Sequence, residues 1–428
     1  MRPLSAYPPR PVPAHGRRSR VVTAAALAVL ATGCAGASTN DGTPAPALPR
    51  MTSMSPTTAP TVPSTTAPTV PSTAPTASTS ATAPSAAATT TTGTPATADL
   101  VPGAVTDLAT GLDVPWGLAF LPDGSALVSE RDSARVLHVP AGGGDAREVG
   151  VVPGVEPAGE GGLLGLAVSG SFATDRTLYA YRTAASGNEI VAMTVAADLR
   201  SLSEPRVLLS GIAKASNHDG GRLAMGPDGY LYVGTGDASN RPDAPDRNSL
   251  NGKVLRIRTD GSAAPGNPFG TPVFTTGHRN VQGLAFGPDR TLYAAEFGQD
   301  TWDELNVLRA GQDYGWPDAE GDDGQGGTRP LASWHTDQAS PSGIAWAGGA
   351  VWLAGLRGQR LWRVPVAGGE RTGDPVAYLG GEYGRLRTVA AAPDGSLWVT
   401  TSNTDGRGEP KGGDDRILRV ELVRRPQG

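Results

Sequence analysis

The chain has 428 residues, with 36 Lys and Arg against 41 Asp and Glu, a formal net charge of −5, and a single cysteine. A mildly acidic balance argues against nucleic acid as a partner. One cysteine excludes an intramolecular disulfide and any Cys-x-x-Cys-His haem attachment, so an electron-transfer role needs an external acceptor.

Taken in chain order, the first signal is basic: Arg17, Arg18 and Arg20 precede an apolar run from Val21 to Ala31, followed by Gly33-Cys34. A basic segment, a short apolar segment and small residues before a cut describe a secretion signal. The run is too short for a stable membrane span. Cys34 after Ala31-Thr32-Gly33 resembles a bacterial lipobox, which assigns 1–34 to a signal peptide and makes the mature chain a lipoprotein on the outer face of the membrane; a plain signal peptide with an incidental cysteine is the other reading. Residues 35–99 are rich in Thr, Pro, Ala and Ser, and Thr57–Ser64 repeats as Thr65–Ser72. Such a composition cannot bury enough apolar surface to offset ordering, so a disordered tether is expected there.

From residue 100 to about 424 one phrase recurs: an apolar run, a Pro-Asp-Gly-type turn, then an alternating strand. Strong copies contain Pro115–Gly124, Arg222–Gly229, Gln282–Asp289 and Arg387–Gly395; weaker ones are Leu164–Val168 and Ser342–Trp346. Aligning Leu118, Leu166, Leu223, Leu284, Ile344 and Val389 gives spacings of 48, 57, 61, 60 and 45 residues. A period of that length marks the blades of a propeller. Further strands follow each turn, such as Leu231-Tyr232-Val233, Lys253–Ile257 and Arg416–Val420, and no stretch carries a long 3.6-residue apolar period. The expected fold is therefore all-β, a six-bladed propeller of four-stranded blades behind a disordered tether. Another all-β sandwich or a pair of barrels is the alternative, but sandwiches lack such a repeat.

Loops at one end of a propeller channel build its site, and several unusual ones flank the repeat. Ser216–Arg222 contains His218, and Gly234-Thr235-Gly236-Asp237 follows in the same unit, so an imidazole and a carboxylate can meet at one end. Gly277–Gly283 carries Arg279 and Asn280 and is followed by Glu296–Asp300. Gly384–Arg387 puts Arg385 and Arg387 on one strand face, and Arg357 adds a further cation. An imidazole, with an unperturbed pKa of about 6.5, can take a hydroxyl proton at neutral pH. A neighbouring carboxylate can support the imidazolium that forms.

Taken together, Glu160–Gly165, Asn217–Leu223, Gly277–Asn280 and Asp313–Pro317 resemble the soluble quinoprotein sugar dehydrogenases, which use pyrroloquinoline quinone (PQQ) and calcium. The likeness runs from Thr110 to Val420 and is closest to the aldose sugar dehydrogenase branch. It implies oxidation of an aldose at the anomeric carbon, with His218 as general base and Asp237 as its orienting carboxylate. It also implies that Arg279, Asn280, Arg357, Arg385 and Arg387 bind the cofactor, Arg279 near its reducible carbonyl. PQQ carries three carboxylates, and guanidinium forks suit them. The catalytic calcium corresponds to the main-chain carbonyls of Gly298 and Gln299, and a second, structural calcium to Glu304 and Tyr314. Glu160 stands where the glucose enzyme has a glutamine on substrate and cofactor, and Arg357 where relatives use lysine. A segment between Gly321 and Ser342 looks shortened, which suggests broad aldose use; Trp334 and His335 there either line the entrance or are surface residues. A homodimer is a family trait that no stretch here marks.

Two other classes remain. A calcium-dependent lactonase would bring side-chain carboxylates together on the metal. A non-catalytic propeller binding glycan or protein has no reason to make His218, Asp237, Arg279 and Arg385 converge.

Overall fold

The computed structural model describes residues 99–322 and 326–425. The signal peptide, Cys34 and nearly all of the tether lie outside the described residues. Within them, six antiparallel sheets follow one another along the chain. Blade 1 comprises Pro115–Phe120, Ala126–Glu130, Arg135–Val139 and Arg147–Val151. Blade 2 is Leu163–Val168, Thr177–Ala184, Gly187–Thr194 and Arg206–Ile212; blade 3 is Leu223–Met225, Leu231–Gly234, Val254–Ile257 and Val273–Thr275. Blade 4 comprises Val281–Phe286, Leu292–Glu296, Trp302–Leu308 and Ala332–His335. Blade 5 is Pro341–Ala347, Ala350–Gly355, Arg360–Ala367 and Val376–Tyr378, with a two-residue strand, Glu370–Arg371, added beside the third. Blade 6 runs Leu386–Ala391, Leu397–Thr401 and Ile417–Arg424, and its outer strand is Leu100–Ala109.

Every copy of the repeat phrase opens a blade. Leu118, Leu166, Leu223, Leu284, Ile344 and Val389 all lie on first strands, and these first strands pack one against the next round the ring, blade 6 closing on blade 1. The turn chemistry explains the phrase. Asp123 Oδ1 accepts from the Ser125 N–H at 3.0 Å and its hydroxyl at 2.6 Å, and Asp394 does the same for Ser396. The third turn residue is left-handed: Gly124, Gly229 and Gly395 have φ of +83°, +80° and +84°, and Arg290 takes the position at +66° in the copy that lacks glycine.

The core lies between blades rather than inside any one of them, because each sheet buries both faces against its neighbours. Trp116, Trp352 and Trp398 are fully buried there. Trp116 packs with Leu164, Tyr181 and Leu223 of the next two blades, and Trp398 joins Leu118 and Leu137 across the seam between blades 6 and 1.

That seam is closed by the first strand. Leu100–Ala109 pairs antiparallel with Ile417–Arg424, from Leu100 opposite Arg424 to Ala109 opposite Ile417. Asp99 pins its start, with ion pairs to Arg363 at 2.7 Å and Arg425 at 2.8 Å. The repeat does not reveal this strand, since its sequence carries no copy of the phrase.

Candidate active site

His218 lies in the loop from blade 2 into blade 3, in the left-handed region at φ +62°. A non-glycine residue there is strained by roughly 1 kcal/mol or more, and such strain concentrates at functional sites. Its Nδ1 lies 2.8 Å from Oδ1 of Asp237, while its side chain keeps 13% exposure. Asp237 is fully buried, and three donors surround it. Beside the imidazole, the Ser239 N–H also reaches Oδ1 at 2.8 Å, and the Trp316 indole N–H donates to Oδ2 at 2.8 Å. Burial alone would raise this carboxyl, but the bonds from His218 and Trp316 outweigh it and hold it below the usual carboxylate range. A carboxylate fixed at Nδ1 leaves Nε2 as the imidazole's basic nitrogen.

Glu160 and Asn280 buttress the His218 loop from behind. Glu160 Oε2 accepts from the His218 N–H at 3.0 Å and from Asn280 Nδ2 at 3.4 Å, while Asn280 Oδ1 accepts from the Gly220 N–H at 2.9 Å. Asn280 is 1% exposed and does not line the main cavity, so the structure gives it a positioning place beside the histidine.

That cavity, about 280 Å³, is walled by Arg131, Arg357, Arg385, Arg387 and Arg407, with Glu160, Gln282, Phe297, Ser340, Leu356 and Asp405. Three of these arginines, Arg357, Arg385 and Arg387, are expected from the sequence; Arg131 and Arg407 are not. Asp405 organises the group: its Oδ2 accepts from Arg385 Nη2 at 2.9 Å and lies 3.5 Å from Arg387 Nη2. Burial opposes its charge, yet Arg385 and Arg387 hold its carboxyl below the usual range. Arg387 is pushed down to about 10 by burial, with Asp405 opposing the shift and Arg131 and Arg385 adding to it. Its Nε finds no partner among the described residues. The five guanidiniums face two lining carboxylates, Asp405 and Glu160, with Asp132 on Arg131 at 2.6 Å, so positive charge stays in excess and the cavity suits an anionic occupant. Arg407 spans the rim to Glu160 Oε1 at 3.2 Å.

Deeper in the channel, Arg222 is stacked on Trp116 with its carbon 4.3 Å from the ring centre. It donates to the Gln282 carbonyl at 2.6 Å and to Thr388 Oγ1 at 3.1 Å, tying blade 3 to blades 4 and 6. Burial and the nearby Arg387 push it down to about 9.

Arg279 stands over Trp316, 5.4 Å from the ring centre, with its Nη1 3.3 Å from the Phe297 carbonyl. It lines a smaller cavity that shares Phe297 with the larger one. Burial lowers it, against Asp237, Glu320, Glu160 and Asp303. Gly298 lines the same small cavity, with Glu296, Glu304, Tyr314 and Glu320. Among the described residues, no N–H or hydroxyl donates to the Gly298 or Gln299 carbonyl. Two adjacent carbonyls of this kind suit a hard cation such as calcium.

The structure brings Glu304 and Tyr314 together but commits their side chains elsewhere. Glu304 accepts from the Gly321 N–H at 2.5 Å and Asn306 Nδ2 at 2.9 Å, and burial with the neighbouring Glu296 raises it to about 8. The Tyr314 hydroxyl donates to the Val307 carbonyl at 2.6 Å and accepts from the Arg309 N–H at 3.0 Å, so only its main chain remains for a cation. Its ring stacks on His278, which is itself bound by Glu296 at 2.7 Å and is structural. Trp334 is buried against Trp362 in the core and does not line an entrance, whereas His335 is exposed and stacks on Trp302 at 4.2 Å.

A dyad of imidazole and buried carboxylate beside an arginine-walled cavity is the arrangement that known proteins must match. The family model described as Glucose / Sorbosone dehydrogenase matches residues 112–419. This chain belongs to that family. Within the glucose/sorbosone dehydrogenases, it is 29% identical over 331 residues to aldose sugar dehydrogenase YliI of Escherichia coli K12, covering 69% of this chain and 89% of that protein. It is 30% identical to quinoprotein glucose dehydrogenase B of Acinetobacter calcoaceticus, across 50% of this chain and 52% of that one. Among solved structures, the PQQ-bound form of aldose sugar dehydrogenase from Streptomyces coelicolor shares 54% identity, with a TM-score of 0.73 over 76% of this chain and 100% of that one.

Proposed function

We propose that this dehydrogenase oxidises aldose sugars at the anomeric carbon to lactones, using PQQ with calcium and passing the electrons to an external acceptor. The observation that carries the reading is the His218–Asp237 dyad at 2.8 Å beside a cavity walled by five arginines. When bound, PQQ supplies the quinone that accepts the hydride equivalent. Arg385, Arg387 and Arg357 fit its carboxylates, and the unsatisfied Arg387 Nε supports that fit. The Gly298 and Gln299 carbonyls fit a calcium ion at the neighbouring loop.

His218 Nε2 takes the proton of the anomeric hydroxyl. The charge that develops on the ring is stabilised by Asp237, whose ionised form is held in place by Ser239 and Trp316. Arg279 offers a fixed cation for negative charge developing beside the small cavity. Glu160 and Asn280 hold the histidine loop so that the imidazole is not free to turn away. The short segment between Gly321 and Ser342 supports broad aldose use rather than strict glucose specificity. Export as a lipoprotein, anchored through Cys34 at the outer membrane face, and pairing as a homodimer complete the proposal.

The test is dye-linked oxidation of an aldose panel by the full chain, with and without PQQ plus calcium. Activity requiring both, and lost in His218→Ala, is the expected result. An absence of PQQ binding, or full activity in His218→Ala, refutes the reading.

A further inference from the structure

In the turn between strands Leu292–Glu296 and Trp302–Leu308, the N–H groups of Gly298, Gln299, Thr301 and Trp302 all go to two carboxylates. Glu320 Oε1 accepts from Gln299 at 3.0 Å, Thr301 at 2.9 Å and Trp302 at 2.7 Å. Asp303 Oδ1 accepts from Gly298 at 3.0 Å, and its Oδ2 accepts from Ser340 at 2.6 Å. Ser340 lines the arginine cavity, so Asp303 also joins this loop to the cavity wall.

In a trans peptide unit the carbonyl points opposite to the N–H. Aiming the Gln299 N–H at Glu320 therefore turns the Gly298 carbonyl away from it, and the Thr301 bond does the same to the Asp300 carbonyl. The Gln299 carbonyl belongs to the one peptide between these two fixed planes, so its freedom is small. At Gly298 the loop leaves no room for a side chain: a Cβ would collide with the Trp302 carbonyl and lie 2.6 Å from Glu320 Oε1.

We propose that Glu320 and Asp303 are positioning residues that hold the Gly298 and Gln299 carbonyls in the orientation that binds calcium. The proposal rests on the calcium reading given above. The two carboxylates act through the backbone: they replace the water that these N–H groups would otherwise need and leave the carbonyl oxygens available as ligands. Preorganised oxygens bind a cation without the entropy loss of ordering a loop. Glutamine at position 320 keeps an acceptor oxygen for these N–H groups, whereas alanine removes it. At Asp303 both oxygens accept from N–H groups, so an asparagine must set its NH2 against one of them.

The experiment uses the full chain, with calcium titrated into apo-protein plus PQQ and the cofactor's absorbance change as the readout. PQQ binding in excess chelator and thermal unfolding without calcium are measured alongside. Glu320→Ala and Asp303→Asn are expected to raise the half-saturating calcium concentration at least about tenfold, with PQQ binding in chelator unchanged. Glu320→Gln, which keeps one acceptor oxygen, is expected to fall between the parent and the alanine variant. An unchanged calcium midpoint in Glu320→Ala overturns the proposal. Should the alanine variant fail to fold, Asp303→Asn decides alone: an unchanged calcium midpoint there overturns the proposal. If the parent binds PQQ but ignores calcium, the calcium reading itself falls, and this proposal with it, while the PQQ reading stands.

Discussion

Replacing Asp237 by asparagine tests the reaction at its support rather than at the base. The carboxylate faces two fixed donors on different oxygens, the Ser239 N–H on Oδ1 and the Trp316 N–H on Oδ2, with His218 sharing Oδ1. An asparagine has one acceptor oxygen, so one fixed donor meets an NH2 group in a fully buried place. That mismatch costs about 1–3 kcal/mol of stability. The larger effect is on rate. Two unit charges about 4 Å apart attract by about 4 kcal/mol at an effective dielectric of 20. Losing this support for the imidazolium slows the chemical step by roughly 10³. If the NH2 group turns toward Nδ1, the tautomer is inverted as well, and the proton sits on the nitrogen that should be basic. The assay is steady-state oxidation of an aldose by Asp237→Asn loaded with PQQ and calcium, with thermal unfolding as a check on folding. The kcat is expected to fall by about 10²–10⁴ while KM moves little, since Asp237 does not reach the cavity. A kcat within tenfold of the parent refutes the argument that this carboxylate supports the base.

Three further outcomes follow from the same geometry. Trp316→Phe leaves Asp237 Oδ2 without its donor, and differential scanning calorimetry should show a loss of about 1–3 kcal/mol together with a fall of roughly tenfold in kcat. Asp405 has its folded pKa depressed, so its stabilising contribution is full above the unfolded value of about 3.9 and is lost as pH falls through the lower folded value. Asp405→Asn should therefore show a shallower acid decline of the thermal midpoint below about pH 4, along with weaker ordering of Arg385 and Arg387 read as a higher PQQ dissociation constant. Deletion of residues 1–109 removes the outer strand of blade 6 and the buried Leu108; unfolding by urea should show at least about 2 kcal/mol lost, and an unchanged midpoint would mean that the strand does not close the ring.

The fold was largely legible because the repeat phrase marks one place in every blade, the strand and turn next to the channel. Its Asp and Gly are needed for turn geometry, so the pattern survives wherever the turn does. Leu100–Ala109 has no such turn to make, and Pro102 and Gly103 argue against a strand; it is recruited only by the open edge of Ile417–Arg424. At the site, His218, Asp237, Arg385 and Arg387 were readable because each lies beside a copy of the phrase. Asp405 was not, although a cluster of buried arginines requires a counter-anion and Asp405 lies in the loop that follows their neighbouring strand. Trp316 lies within a motif that stands out, but nothing in the sequence says where its N–H points. Asn280 and Tyr314 show the converse limit. Both lie at the site, but their side chains are spent on Gly220 and Glu160 in one case and on Val307 and Arg309 in the other.

The closing strand also bears on how such a chain is made and moved. Leu100 finds its partner at Arg424, so the first strand of the domain waits for the last one before any blade is locked at the seam. Pairing across so great a sequence distance is slow. Once the ring has formed, a pull on the N-terminal side meets Asp99 first, and its two arginine partners take the load before the strand itself begins to peel.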